Sequence, residues 1–136
     1  MIKTSLFILA GFAVSASVSL AADPDVSKLP PAADKAGVTF EADIKPIFEK
    51  GCVKCHGSEK QKSKLRLDTL AATIKGGENG PDVVPGNSAK SPLVWAIGRI
   101  GDEDDAMPPK KKDGTVAAVP KEQIALIRAW IDQGAK

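Results

Sequence analysis

Residues 43–57 read DIKPIFEKGCVKCHG, and within them Cys52-Val53-Lys54-Cys55-His56 decides the fold. CxxCH is the attachment pattern of c-type haem. Two thiols must reach two vinyl groups on one edge of a porphyrin. Two intervening residues let one helical turn present both sulfurs on the same side. The adjacent histidine then lies beneath the ring with Nε2 towards the iron. Other readings ask for surroundings that the sequence lacks. Two cysteines in an exported chain ordinarily form a disulfide, but these are three apart and followed at once by His. A thioredoxin-like CxxC expects a βαβ pattern around it. A structural zinc site needs four ligands, and beyond Cys52, Cys55 and His56 there is no second cluster.

The second axial donor follows by elimination. His56 is the single histidine, which excludes bis-histidine ligation within one chain. Of the two methionines, Met1 leaves with the export signal, so Met107 remains. It sits in Asp104-Asp105-Ala106-Met107-Pro108-Pro109-Lys110, where two prolines keep the backbone stiff and extended. Alternatives are an ordinary methionine with an open sixth position, or a lysine ligand from Lys110, Lys111 or Lys112. His/Met ligation raises a haem potential. It also leaves no free coordination position, which argues against oxygen or peroxide chemistry and against an enzyme.

Outward from the motif, 136 residues suggest one domain. Lys3, the apolar run 6–14 and the small residues Ser19 and Ala21 form a secretory signal, expected to be cut after Ala21. The run is short of the ~20 residues of a spanning helix, and no cysteine follows the cut to take a lipid. The expectation is a periplasmic protein with no membrane span after cleavage. Residues 22–38, rich in Ala, Pro and Asp, read as a flexible lead, and 39–136 as the domain. Nineteen basic and 17 acidic residues nearly balance, so nothing points to nucleic acid. Aromatic residues make up 4%, and tyrosine is absent. That is thin material for a core, which a large apolar cofactor would help to fill.

The elements read as helices. Thr39 caps a helix over 40–50 with Phe40, Ile44, Ile47 and Phe48 on one face, and Pro46 should kink it or delay its start. Asp68 can cap a short helix over 69–75. Ser91-Pro92 opens another through about Ile100. The last runs from near Pro120 to Gln133, with Ile124, Ile127 and Ile131 on one stripe extended by Leu126 and Trp130. No strand is expected. Leu65, Leu67, Leu93, Ile97 and Pro108 are candidate pocket residues, with core packing as the equal alternative.

The chain from Phe40 to Lys136 resembles the planctomycete-type cytochrome c domain, a branch of the class I cytochromes c. DIKPIFEKGCVKCHG, LRLDT at 65–69, GGENGPDVVPGNSAKSPL at 76–93, MPPK at 107–110 and AWIDQGA at 129–135 carry the likeness. The resemblance implies a small all-α class I fold with its first and last helices packed together around one covalently bound haem c. It also implies thioether bonds at Cys52 and Cys55 and iron ligands His56 and Met107. Many class I members place a proline about a dozen residues after the motif histidine, whose carbonyl holds the ring. Here that region, Leu65 to Asp68, has none, so another carbonyl must orient His56.

The expected function is single-electron transfer by a monomer to an unidentified redox partner protein. Lys50, Lys54, Lys60, Lys62, Lys64 and Lys110–Lys112 could ring the haem edge, opposed by the acidic run 102–105. The alternatives are a haem sensor with a displaceable sixth ligand, or a module docked to a larger oxidoreductase.

Overall fold

A computed structural model describes residues 23–136. The expected export signal, 1–21, lies outside the described residues. Four α-helices are present among them: α1 (Lys45–Gly51), α2 (Leu70–Lys75), α3 (Pro92–Gly98) and α4 (Lys121–Asp132), joined by 3-10 turns and loops. The described residues contain no strand, only isolated bridges at His56–Gln61 and Gly77–Gly80. The all-α expectation holds.

Pro46 shapes the entry to α1. It has no N–H to give to Ala42 and its ring crowds that carbonyl. The chain responds with a π-helical turn over Phe40–Ile44, in which the Lys45 N–H reaches back to the Phe40 carbonyl, before α1 begins. Thr39 caps this turn as expected, its hydroxyl accepting from the Ala42 N–H (3.4 Å). The cap of α2 differs from the expected one. Thr69 accepts the Ala72 N–H (3.3 Å), because the Asp68 carboxylate is held by the Arg66 guanidinium (3.0 and 2.7 Å). α3 stops at Gly98, short of Ile100, because Arg99 turns left-handed.

The first and last helical segments form the main seam. The Phe40 ring lies 5.8 Å from that of Trp130 and 6.1 Å from that of Phe48. The Lys136 carbonyl accepts both the Phe40 N–H and the Trp130 Nε1–H, each at 2.9 Å. Ile44, Phe48, Trp130 and Ile131 are fully buried around it.

The expected flexible lead is instead a strap over α3 and α4. Leu29 and Val38 join the core. The Ala33 N–H donates to the Ala125 carbonyl (2.9 Å), and the Arg128 guanidinium donates to the Pro30 carbonyl. Gln133 grips the strap twice, accepting the Val38 N–H (3.1 Å) and donating to the Lys35 carbonyl (2.7 Å). Gly98 gives Leu29 its seat, since a Cβ there would stand 2.1 Å from the leucine Cδ2. Prolines stiffen this segment, and two apolar residues suffice to anchor it. The folded unit therefore includes residues 23–38 as well as the expected 39–136.

Candidate functional site

The end of α1 delivers the motif. The Cys52 N–H caps the helix on the Phe48 carbonyl (2.7 Å), and the Cys55 and His56 N–H groups both donate to the Cys52 carbonyl (3.0 and 2.9 Å). This single turn presents both thiols and the imidazole together. Two further bonds fix its exit, from the Lys62 N–H to the Cys55 carbonyl (3.0 Å) and from the Leu67 N–H to the His56 carbonyl (2.8 Å). Gly57 is required by space, because a Cβ there would lie 2.5 Å from the Val53 carbonyl oxygen.

Two adjoining cavities meet at this turn. A narrow apolar recess of about 80 Å³ is bordered by Cys52, Cys55, His56, Leu67, Leu93, Ile97, Met107 and Pro108, together with Gly51, Pro109 and Val119. A larger cavity of about 730 Å³ shares Cys55, His56, Met107 and Pro109 with it. The candidate residues thus converge on one crevice, with one difference: Leu65 borders only the larger cavity. Pro109 and Val119 were missed. Pro109 is simply next to Pro108. Val119 lies just ahead of the last helix, and no local pattern marks it.

Met107 enters from a loop tied to the end of α3. Its N–H donates to the Ala96 carbonyl (3.1 Å). The Arg99 guanidinium donates to the carbonyl of the next residue, Pro108 (2.8 Å), and to the Glu103 carboxylate (2.7 Å).

Burial governs the electrostatics. It pushes the Cys52 thiol up to about 11, with Cys55 adding to the effect. It pushes His56 down, opposed by the Leu65 and Lys62 carbonyls and by the charge of Asp82. Those carbonyls bear on the ring without completing a bond to Nδ1, which is buried and lacks a hydrogen-bond partner. Asp82 is raised by burial, countered by the Gly77 N–H that its carboxylate accepts (2.9 Å). Asp82, Asp102, Asp104 and Asp105 border the larger cavity along with Lys60 and Lys62, so its rim carries both signs.

The donor set fits a covalently attached haem. Two thiols and an imidazole issue from one turn, a thioether borders the same crevice, and the walls of the recess are apolar. An iron-bound histidine uses Nε2 and gives its Nδ1–H to an acceptor; the Leu65 and Lys62 carbonyls bear on the His56 ring, but Nδ1 makes no bond to either. Among the described residues no group of three or more His, Cys, Asp and Glu side chains is placed to hold a metal ion by itself.

No curated protein sequence matches the chain. Among solved structures it is similar to Kuenenia stuttgartiensis hydrazine synthase, with a TM-score of 0.50 and 20% identity over 72% of this chain. The likeness, one of fold, spans 16% of that chain. Residues 52–111, from the first thiol through the Met107 loop, match the planctomycete cytochrome C family model, which identifies this span as a cytochrome c domain of that family.

Proposed function

We propose that this protein is an exported single-electron carrier with one haem c bonded to Cys52 and Cys55 and held by His56 and Met107. The family implies a covalently bound haem. The observation that carries the finer reading is the convergence of Cys52, Cys55, His56 and Met107 on one crevice. When bound, the haem supplies a one-electron iron couple. The chain's own part is to bind and to exclude. The α1 turn fixes His56 relative to the thiols, and the Leu65 and Lys62 carbonyls are the backbone acceptors nearest in effect to its ring N–H. Leu67, Leu93 and Ile97 keep water from the recess, while Ala96 and Arg99 hold the Met107 loop. With His56 and Met107 both holding the iron, the haem would have no open position for a substrate, and the protein would act as a carrier rather than an enzyme. It works as a periplasmic monomer that passes electrons to partner proteins, with no part for nucleic acid.

Visible spectroscopy with a redox titration of the purified protein tests this. Replacement Met107→Ala should lower the midpoint potential by on the order of 0.1 V, within the roughly 0.8 V that axial ligands span. It should also admit imidazole or cyanide to the iron. An unchanged potential with no gain in ligand binding would remove Met107 from the iron.

A docked-module reading has one observation in its favour: the same fold occupies 16% of a much longer chain in hydrazine synthase. Co-purification of this protein with a stable larger oxidoreductase would favour it over a free carrier.

A further inference from the structure

The residue that ends α3 is one of four non-glycine residues with positive φ among the described residues, with Ser63, Lys64 and Ala135. Arg99 follows Gly98 in the left-handed region, at φ 54°. Helix ends of this kind usually carry glycine, because a side chain disfavours that conformation. A residue that persists there needs a reason outside the helix. The Arg99 side chain is only 18% exposed. It borders neither cavity, and both of its contacts run to the loop that contains Met107. One is to the Pro108 carbonyl at 2.8 Å and the other to Glu103 at 2.7 Å. The left-handed turn carries the chain out of α3 while the guanidinium reaches across to the loop. With the Ala96 carbonyl accepting the Met107 N–H at 3.1 Å, the backbone is held on both sides of the Met107 side chain. Glu103, itself largely exposed, steadies the guanidinium from the other end.

We infer that Arg99 is a positioning residue that clamps the Met107 loop to the end of α3 and so keeps the thioether at the crevice. The inference rests on the proposal that Met107 is the second axial ligand. Releasing the clamp frees the loop, and an external ligand then competes with the thioether more easily.

Glycine at position 99 separates this role from helix termination, since it suits the left-handed turn at least as well as arginine. The test compares the haem-loaded wild type with Arg99→Gly and Arg99→Lys. It follows imidazole affinity, the weak red absorption that thioether sulfur gives to ferric low-spin iron, and the melting temperature. Arg99→Gly should melt lower, because the same bonds are lost from the folded state, and should bind imidazole about 10- to 100-fold more tightly, the fold-equivalent of one charge-assisted hydrogen bond. Arg99→Lys, which keeps a donor, should fall between. Unchanged imidazole affinity and an unchanged red band in Arg99→Gly, whatever the melting temperature, would make Arg99 a helix stop and overturn the clamp alone. A wild type without the red band would overturn the ligation reading, and the clamp's role with it.

Discussion

Asp82 carries a cost that a single substitution can expose. Its carboxyl is half-buried and raised from the ordinary 3.8, chiefly by desolvation. A raised acid binds its proton more tightly when folded, so ionisation destabilises the fold. The penalty is absent below 3.8 and grows as pH rises through the folded value. Asp82→Asn keeps an oxygen for the Gly77 N–H and removes the charge. It should raise the melting temperature at pH 7, a gain that fades as pH falls towards 3.8, which a pH series of thermal melts would show. At this scale the sequence revealed Cys52, Cys55, His56 and Met107, because their chemistry is contiguous or unique in the chain. Arg99, Val119 and Asp82 stayed hidden. Their roles depend on a left-handed turn, a returning loop and a buried carboxylate, and none of these leaves a periodic or spacing signal.

Helices α1 and α4 were legible as elements because their apolar residues recur at helical spacing. Their exact starts were less so, since side chains compete for caps. Asp68 turns to Arg66 and leaves α2 to Thr69. Ser91, expected to cap α3, donates instead to the Asn87 carbonyl and accepts from the Val84 N–H (both 2.9 Å). The strap over 23–38 was misread because Ala, Pro and Asp dominate its composition while two buried residues, Leu29 and Val38, decide its fate. The seam between the first and last segments should dominate stability. Trp130→Ala removes a fully buried ring together with its bond to the Lys136 carbonyl. It should cost about 3–5 kcal/mol in denaturant unfolding of the haem-loaded protein. A loss below about 1 kcal/mol, the scale of an ordinary surface change, would show that the seam is not the main contact.

For the whole molecule, charge placement matters more than the net charge of +2. The larger cavity's rim mixes Lys60 and Lys62 with carboxylates, so a uniform lysine ring is not what partners would meet. Lys110, Lys111 and Lys112 differ. They are exposed beside Pro108 and Pro109 and enter none of the ion pairs among the described residues. A turn stabilises the chain just beyond them, with the Lys111 N–H donating to the Thr115 carbonyl (2.9 Å). Oxidation by an anionic inorganic reagent such as hexacyanoferrate(III) should therefore slow as ionic strength rises. Replacing the three lysines by glutamine should flatten that dependence, as stopped-flow measurements at several salt concentrations would report. The seam has a consequence in time as well. Phe40 and Trp130 meet across most of the domain, and the carbonyl that ties them belongs to Lys136. Contacts so distant in sequence are slow to close. Cys52 and Cys55 lie inside that open span, so a chain whose last segment has not yet docked would present both thiols before the seam forms.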